Sequence, residues 1–111
     1  MTVGELMQRN GWHAASGEPK SEITGTIVCD LLSWVMARGA KGTVWITVQT
    51  HLNVVAVASL HDFACVIVPD GIEVGHDVLD TADEKGVCIL LAPCSPYSAA
   101  AALHDAGIGD A

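Results

Sequence analysis

Short apolar segments alternate with helix-type segments along most of the chain. The segments Ala64–Val68 and Val87–Leu91 contain apolar residues alone, and Ile23–Cys29 and Thr43–Gln49 are rich in residues that favour strands. Strands that show no alternation of polar and apolar residues are buried on both faces, as in parallel sheets. Helices placed between such strands are typical of α/β folds. The sequence therefore predicts a three-layer α/β/α domain with a mostly parallel sheet.

Capping residues mark the first and last predicted helices. Thr2 and Glu5 have the spacing of a capping box, and Gly11 follows the apolar positions of that helix. Ser95 is followed by Pro96, which is the usual order of an N-cap and the first helical residue. These patterns predict helices at both ends of the chain, the second running to about residue 106.

Two inner helices are unusually apolar. Asp30 and Asn53 are their candidate N-caps. The segments Leu31–Met36 and Val54–Leu60 are apolar around most of their circumference, which indicates burial on more than one side. Half of all residues are hydrophobic, and a second subunit is the simplest additional cover, so a two-fold homodimer is expected. Shielding by the N-terminal segment is the alternative.

Length and charge narrow the classes of partner. At 111 residues the chain is expected to form a single domain spanning residues 1–111. Its formal net charge is −8, and its five cations are scattered. Binding to nucleic acid or to anionic lipid needs clustered cations, so neither partner is expected.

Four cysteines, Cys29, Cys65, Cys88 and Cys94, lack the C-x-x-C spacing of zinc and redox motifs. Free thiols suit a reducing compartment. Neither a secretory signal nor an apolar stretch long enough to span a membrane is present. We therefore expect a cytoplasmic protein without a cofactor.

Polar residues gather where the predicted strands end. Asp30 follows one strand, and Gln49, Thr50, His51 and Asn53 follow the next. Ligands bind at the carboxyl ends of the strands in open α/β sheets. Polar side chains so close to a core must be hydrogen-bonded. Two interpretations remain open: a ligand-binding cluster, or residues that cap the helix and join the loops.

Catalytic motifs are missing from the sequence. There is no G-x-S-x-G or H-E-x-x-H motif, and no Gly-Lys-Ser/Thr follows Thr24 and Gly25, although backbone amides there are candidates for holding an anion. A thiol or metal enzyme that uses Cys29, His51 and Cys94 is a less favoured alternative. The other histidines are expected in solvated surface or turn positions: His13, His61, His76 and His104.

Three segments carry a family resemblance: Ile23–Ser33, Val44–Ala58 and Val66–Val68. Together they resemble the DRTGG domain, in particular its small stand-alone bacterial and archaeal members, over nearly the whole chain. The motif that names the family is only partly kept, because Thr26 stands where a second glycine is expected after Thr24 and Gly25.

The resemblance implies a fold like the N-terminal domain of HPr kinase/phosphorylase. Related domains in phosphotransacetylases and CBS-pyrophosphatases are accessory and often dimeric, with regulatory or nucleotide-linked roles. We therefore expect a non-catalytic, homodimeric domain that senses a nucleotide or phosphorylated metabolite. Stand-alone members often lie near iron-only hydrogenase genes. The alternative is accordingly a protein-interaction subunit of a hydrogenase or related redox system, which makes contact through Trp34 and Val54–Leu60.

Overall fold

The computed structural model describes all residues from 1 to 111 and contains five helices and five strands. The helices are α1 (Val3–Asn10), α2 (Leu32–Arg38), α3 (Leu52–Leu60), α4 (His76–Lys85) and α5 (Pro96–Asp105). The strands are β1 (His13–Ser16), β2 (Gly25–Val28), β3 (Thr43–Ile46), β4 (Cys65–Val68) and β5 (Ile89–Leu91). No helix has both the length and the apolar character that a membrane crossing requires.

All five strands belong to one sheet, in the order β1-β5-β4-β3-β2. Strands β2 to β5 are parallel to their neighbours, and β1 adds to β5 in the antiparallel direction. A helix connects each pair of parallel strands, because a parallel pair cannot be joined by a tight hairpin. The predicted α/β fold with a mostly parallel sheet is confirmed.

Helices cover both faces of the sheet. One core cluster joins α2, α3 and α4 to strand residues that include Trp45, and a second joins α1 and α5 to strand residues that include Val44 and Ile46. Successive strand residues point to opposite faces, so β3 is buried along its whole length. Full burial of a valine, leucine or isoleucine side chain contributes roughly 1.5–3 kcal/mol. The two clusters therefore give the predicted three-layer arrangement.

The helix starts at the two ends of the chain follow from local sequence. The Thr2 hydroxyl accepts a hydrogen bond from the Glu5 amide, and the Glu5 carboxylate accepts one from the Thr2 amide at 2.9 Å. Hydrogen bonds from the backbone and side chain of Thr2 lower the pKa of Glu5. At α5 the Ser95 hydroxyl accepts from the Ser98 amide at 3.1 Å. Both predicted N-caps are confirmed.

All four parallel strands are shorter than the sequence predicts, and hydrogen bonds explain two of the ends. Strand β3 ends soon after Ile46: the Thr47 amide still bonds to the Ile67 carbonyl oxygen of β4, but the Val48 amide donates to the Asp30 carboxylate. Strand β5 begins only at Ile89, because the Val87 amide bonds to the Ala82 carbonyl at the end of α4. The apolar runs continue beyond the ladders, so composition alone overestimates the strand lengths.

Helix α3 is buried by neighbours from its own chain. Val54, Val55, Val57 and Ala58 are at most 6% exposed, and α2 and α4 pack beside the helix. Helix α1 packs in the other core cluster, away from α3. The four buried residues are therefore covered by α2 and α4, so the alternative of shielding by the N-terminal segment is wrong. Leu52 and Leu60 stay exposed, and cover of α3 by another subunit stays a prediction.

Candidate functional site

The Asp30 carboxylate ties the end of β2 to the loop that follows β3. Its Oδ1 accepts hydrogen bonds from the Thr47 hydroxyl at 2.7 Å and the Val48 amide at 3.0 Å. The N-cap position of α2 is Leu31, which provides no side-chain capping bond. The predicted capping role of Asp30 is wrong because its carboxylate is occupied by the neighbouring loop. Asp30 instead cross-links two adjacent strand ends.

Gln49 extends this cross-link to His51. Its Nε2 donates to the Asp30 carbonyl oxygen at 2.6 Å, and its Oε1 lies 2.6 Å from His51 Nε2. A carbonyl oxygen only accepts, so the Gln49 nitrogen must face Asp30 and the Gln49 oxygen must face the imidazole. His51 Nε2 therefore carries a hydrogen and donates it. The chain Asp30–Gln49–His51 fixes the shape of the loop between β3 and α3.

A cleft of about 580 Å³ lies between the first turns of α3 and α4, and its wall consists of Thr50, His51, Leu52, Asn53, Gly75, Asp77 and Val78. The N-cap positions of the two helices are His51 and Gly75, and neither supplies a side-chain capping bond. The Val54 amide bonds to the His51 carbonyl oxygen, which leaves the Leu52 and Asn53 amides as the free donors of α3, and helix N-termini attract anions. The cleft therefore has the donors that an anionic group requires.

Asn53 lies two positions further into α3 than the sequence predicts. It is the second residue of the helix, and His51 occupies the N-cap position. The predicted capping role of Asn53 is wrong, and its exposed side chain lies on the cleft wall with that of Thr50. Three of the candidate ligand-binding residues thus line the cleft, and Asp30 and Gln49 support its loop by hydrogen bonds.

The charge in the cleft comes from two residues. His51 and Asp77 are the only titratable side chains on its wall. Asp77 lies in the first turn of α4, where a carboxylate complements the helix dipole but also repels a bound anion. Asp77 and Gly75 were not among the predicted site residues, because α4 begins well after the turn that ends β4. A glycine before a helical pattern with an aspartate in its first turn is the signal that identifies them.

Thr24 and Gly25 lie at the opposite, amino-terminal end of the parallel strands. The Thr24 hydroxyl donates to the Lys41 carbonyl at 2.7 Å, and its amide bonds to the Gly42 carbonyl. A Cβ on Gly25 would come within 2.7 Å of the Ala111 Cα, so this glycine allows the C-terminal residues to lie against β2. The expected close backbone approach is present. These two residues are not brought together with the cleft.

The cysteines do not form a metal site. No group of three or more His, Cys, Asp or Glu side chains has metal-binding geometry. Cys29 and Cys94 are partly buried free thiols, and Cys29 Sγ lies 3.8 Å from the Leu31 carbonyl oxygen. Burial raises the pKa of Cys65 well above its usual value and that of Cys88 to about 11. The geometry gives no support to a thiol or metal enzyme.

His61 is less exposed than the sequence predicts. Its ring stacks against Phe63 at 5.8 Å between centroids, and its Nε2 is buried without a hydrogen-bond partner. The expectation of a solvated side chain is wrong for this histidine, because it packs under the end of α3. His13, His76 and His104 are exposed, as predicted.

The outer side of α2 and the end of β2 expose large apolar residues. We call this the α2 surface: Val28 (52% exposed), Leu31 (63%), Trp34 (53%) and Met36 (44%). The Arg38 guanidinium lies 5.4 Å from the centre of the Trp34 ring, a cation–π distance. The buried side of α2 is formed by Val35. Within the chain α2 is buried through Val35 alone, so the expected burial on more than one side is not found there, and its exposed apolar residues have no cover.

Comparison with known proteins gives one informative likeness. No family model and no curated protein sequence matches the chain. Among solved structures, the chain resembles the CBS and DRTGG domains of the regulatory region of Clostridium perfringens pyrophosphatase, which was crystallised with its activator, diadenosine tetraphosphate. The TM-score is 0.71 at 11% sequence identity, over 92% of this chain and 45% of the other. The chain thus spans less than half of that structure, and the likeness concerns the fold, which is DRTGG-like.

Proposed function

We propose that the chain is a non-catalytic regulatory domain that binds a nucleotide or phosphorylated metabolite in the cleft between α3 and α4. One observation carries the proposal: two helix N-termini without side-chain caps face the same cleft of about 580 Å³. This volume lies within the range of roughly 300–1,000 Å³ that is usual for small-molecule sites. Phosphate oxygens would accept hydrogen bonds from the free first-turn amides.

Side chains around the cleft complete the proposed site. The Thr50 hydroxyl and the Asn53 amide add donors on the wall, and Leu52 and Val78 offer apolar surface for a base or sugar. Asp30 and Gln49 act by holding the loop that carries Thr50 and His51. The site therefore uses five of the residues that the sequence grouped together.

Catalysis is not supported by the same geometry. A histidine base requires a partner that orients it and a nucleophile or water within hydrogen-bond reach. The Asp30 carboxylate, which lies at the same edge of the sheet, is bonded to Thr47 and Val48 and not to His51. The bond that His51 does make is to the neutral Gln49 amide, which orients the ring but is not the carboxylate partner of a catalytic base. These contacts favour ligand binding over chemistry.

The solved structure that the chain resembles supports the ligand class. That regulatory region was crystallised with diadenosine tetraphosphate, an activator that contains a polyphosphate. Transferred to this chain, the likeness favours a regulatory role with a phosphorylated effector. The likeness contributes only the class of ligand, and the cleft of this chain provides the proposed position.

The test is a comparison of ligand binding by wild-type and variant protein. Thermal-shift assays and calorimetry with AMP, ATP, diadenosine tetraphosphate and sugar phosphates should reveal stabilisation of the wild type. Asn53→Ala should weaken binding, and Asp77→Asn should strengthen it about three- to tenfold by removing one repulsive charge. Asp80→Asn, an exposed charge change outside the cleft, is the matched control. Equal binding by all four proteins, or binding by none, would exclude this cleft as the site.

We also propose that the chain forms a homodimer through the α2 surface. The specific observation in favour is that four large apolar side chains are exposed here, of which Val28 and Trp34 line the same groove. Trp34→Asp should abolish dimerisation in sedimentation experiments. Tyr97→Asp changes an exposed aromatic residue on α5 and should leave the dimer intact. A wild-type monomer would refute the dimer and leave a protein of a hydrogenase or related redox system as the alternative occupant. Within Val54–Leu60 the four buried residues Val54, Val55, Val57 and Ala58 cannot contact a partner, whereas Leu60 is 73% exposed.

A further inference from the structure

We propose that His51 makes anion binding in the cleft depend on proton uptake. This inference rests on the proposed function and adds a specificity-determining residue to the same site. It predicts that the bound anion is held most tightly by the imidazolium form, so that the domain responds jointly to ligand and pH. The inference follows from the hydrogen-bond chain on the cleft wall.

The tautomer of neutral His51 is fixed by its neighbours. Gln49 must turn its nitrogen to the Asp30 carbonyl oxygen, 2.6 Å away, and so presents its oxygen to His51 Nε2, also at 2.6 Å. Nε2 is therefore the protonated nitrogen of the neutral ring. The other nitrogen, Nδ1, is an acceptor in that state and forms no hydrogen bond within the chain.

Proton uptake changes what this side chain offers to a ligand. The added proton can enter only at Nδ1, because the Nε2 hydrogen is already directed at Gln49. His51 lies at the N-cap position of α3 and on the cleft wall, so protonation adds both a donor and a positive charge beside the free amides of the first turn. The neutral ring instead presents a lone pair, which repels a phosphate oxygen.

The surrounding charges act on this equilibrium in a defined way. Asp77 on α4 is the only other titratable group of the cleft wall, and a bound anion adds a second negative charge near the ring. The bound anion is attracted by the imidazolium and not by the neutral ring. The Asp30 carboxylate is engaged by Thr47 and Val48 and does not bond to the ring. Ligand binding and His51 protonation should therefore reinforce each other.

The experiment follows all five histidine ring signals by NMR across the interval in which histidine titrates, from about pH 8 to about pH 5.5. Sulfate is the probe, because its own charge does not change in this interval, and chloride at equal ionic strength is the reference. Sulfate should raise the midpoint of the His51 titration and leave the exposed His13 and His104 unchanged. Sulfate affinity, read from the Thr50 and Asn53 amides, should increase about tenfold towards the lower pH.

His51→Gln is the decisive variant. Glutamine keeps a neutral donor for the Gln49 oxygen but cannot become charged, so sulfate should still bind while the pH dependence is lost. If sulfate shifts the cleft amides but neither moves the His51 titration nor binds more tightly at low pH, this inference is wrong and the proposed site stands. If the variant keeps the full pH dependence, His51 is not its source. If sulfate shifts no cleft amide and none of the nucleotides or sugar phosphates binds, both proposals fail.

Discussion

Replacement of Asp30 by alanine tests how the end of β2 is joined to the candidate site. The substitution removes the acceptor of two hydrogen bonds, from the Thr47 hydroxyl and the Val48 amide. Thr47 is 2% exposed, so its hydroxyl loses a partner in a nearly buried position. The loop that leads to His51 should become mobile as a result.

The expected cost follows from these two contacts. A hydrogen bond to a charged group contributes roughly 1.5–3 kcal/mol when shielded from water. Asp30 and Val48 are both exposed, so the lower end applies to the Thr47 bond and less than that to the amide. The free energy of unfolding should fall by about 2 kcal/mol, which corresponds to a decrease in Tm of roughly 8 °C for a domain of this size.

Chemical denaturation and amide hydrogen exchange would measure the two consequences separately. In Asp30→Ala, the Val48 amide should lose its protection, whereas the amides of α2 should change little. Asp30→Asn keeps one oxygen acceptor and should recover about half of the lost stability. If the amides of α2 lose protection while the Val48 amide keeps it, Asp30 acts as the cap of α2 that the sequence predicts. The cross-link from Asp30 to the loop after β3 would then be wrong.

Three further predictions concern the rest of the fold. Ser16→Ala removes a buried hydroxyl that bonds to two backbone groups at the start of β5, at 2.9 and 3.1 Å, and should cost about 2 kcal/mol in denaturant unfolding. Gly25→Ala should displace Ala111 and remove the exchange protection of its amide, whereas Gly109→Ala, where a Cβ meets nothing within 4 Å, should not. Burial raises the pKa of Cys88 from 9.0 to about 11, so the folded state favours the neutral thiol more than the unfolded state does. The stability from this difference is complete below about pH 9 and lost as pH rises to about 11, a decline that Cys88→Ala should reduce in pH-dependent unfolding.

Local signals and long-range contacts explain which features the sequence could predict. The helix starts at Thr2 and Ser95 were predicted correctly, because each cap acts on an amide three residues away. Asp30 and Asn53 are residue types that often serve as N-caps, but neither occupies the N-cap position of its helix. The partners of Asp30 lie 17 and 18 residues further on, so its role depends on how β2 and β3 pair.

The sequence predicts how apolar α2 and α3 are, but not which sides of each helix are buried. Both α2 and α3 look apolar on all sides in the sequence, yet only α3 lies between two other helices. The difference arises from strand order: β2 is at the edge of the sheet, so the helix that follows it has a neighbour on one side only. Strand order depends on contacts between distant segments, which the hydrophobic pattern of a single segment does not encode.

The location of the cleft follows from the same topology. Helices α4 and α5 pack on opposite faces, so the loops after β4 and β5 diverge, which is where an open α/β sheet usually has its ligand crevice. Here the Asp70 amide donates to the Cys94 carbonyl oxygen at 2.8 Å, and this bond joins the two loops. The open space lies instead between α3 and α4, which share a face of the sheet. Cys94 is thereby engaged in closing the usual crevice, whereas His51 and Asn53 line the cleft that remains open. Because the loops after β4 and β5 are joined, the open cleft is lined by His51 and not by Cys94.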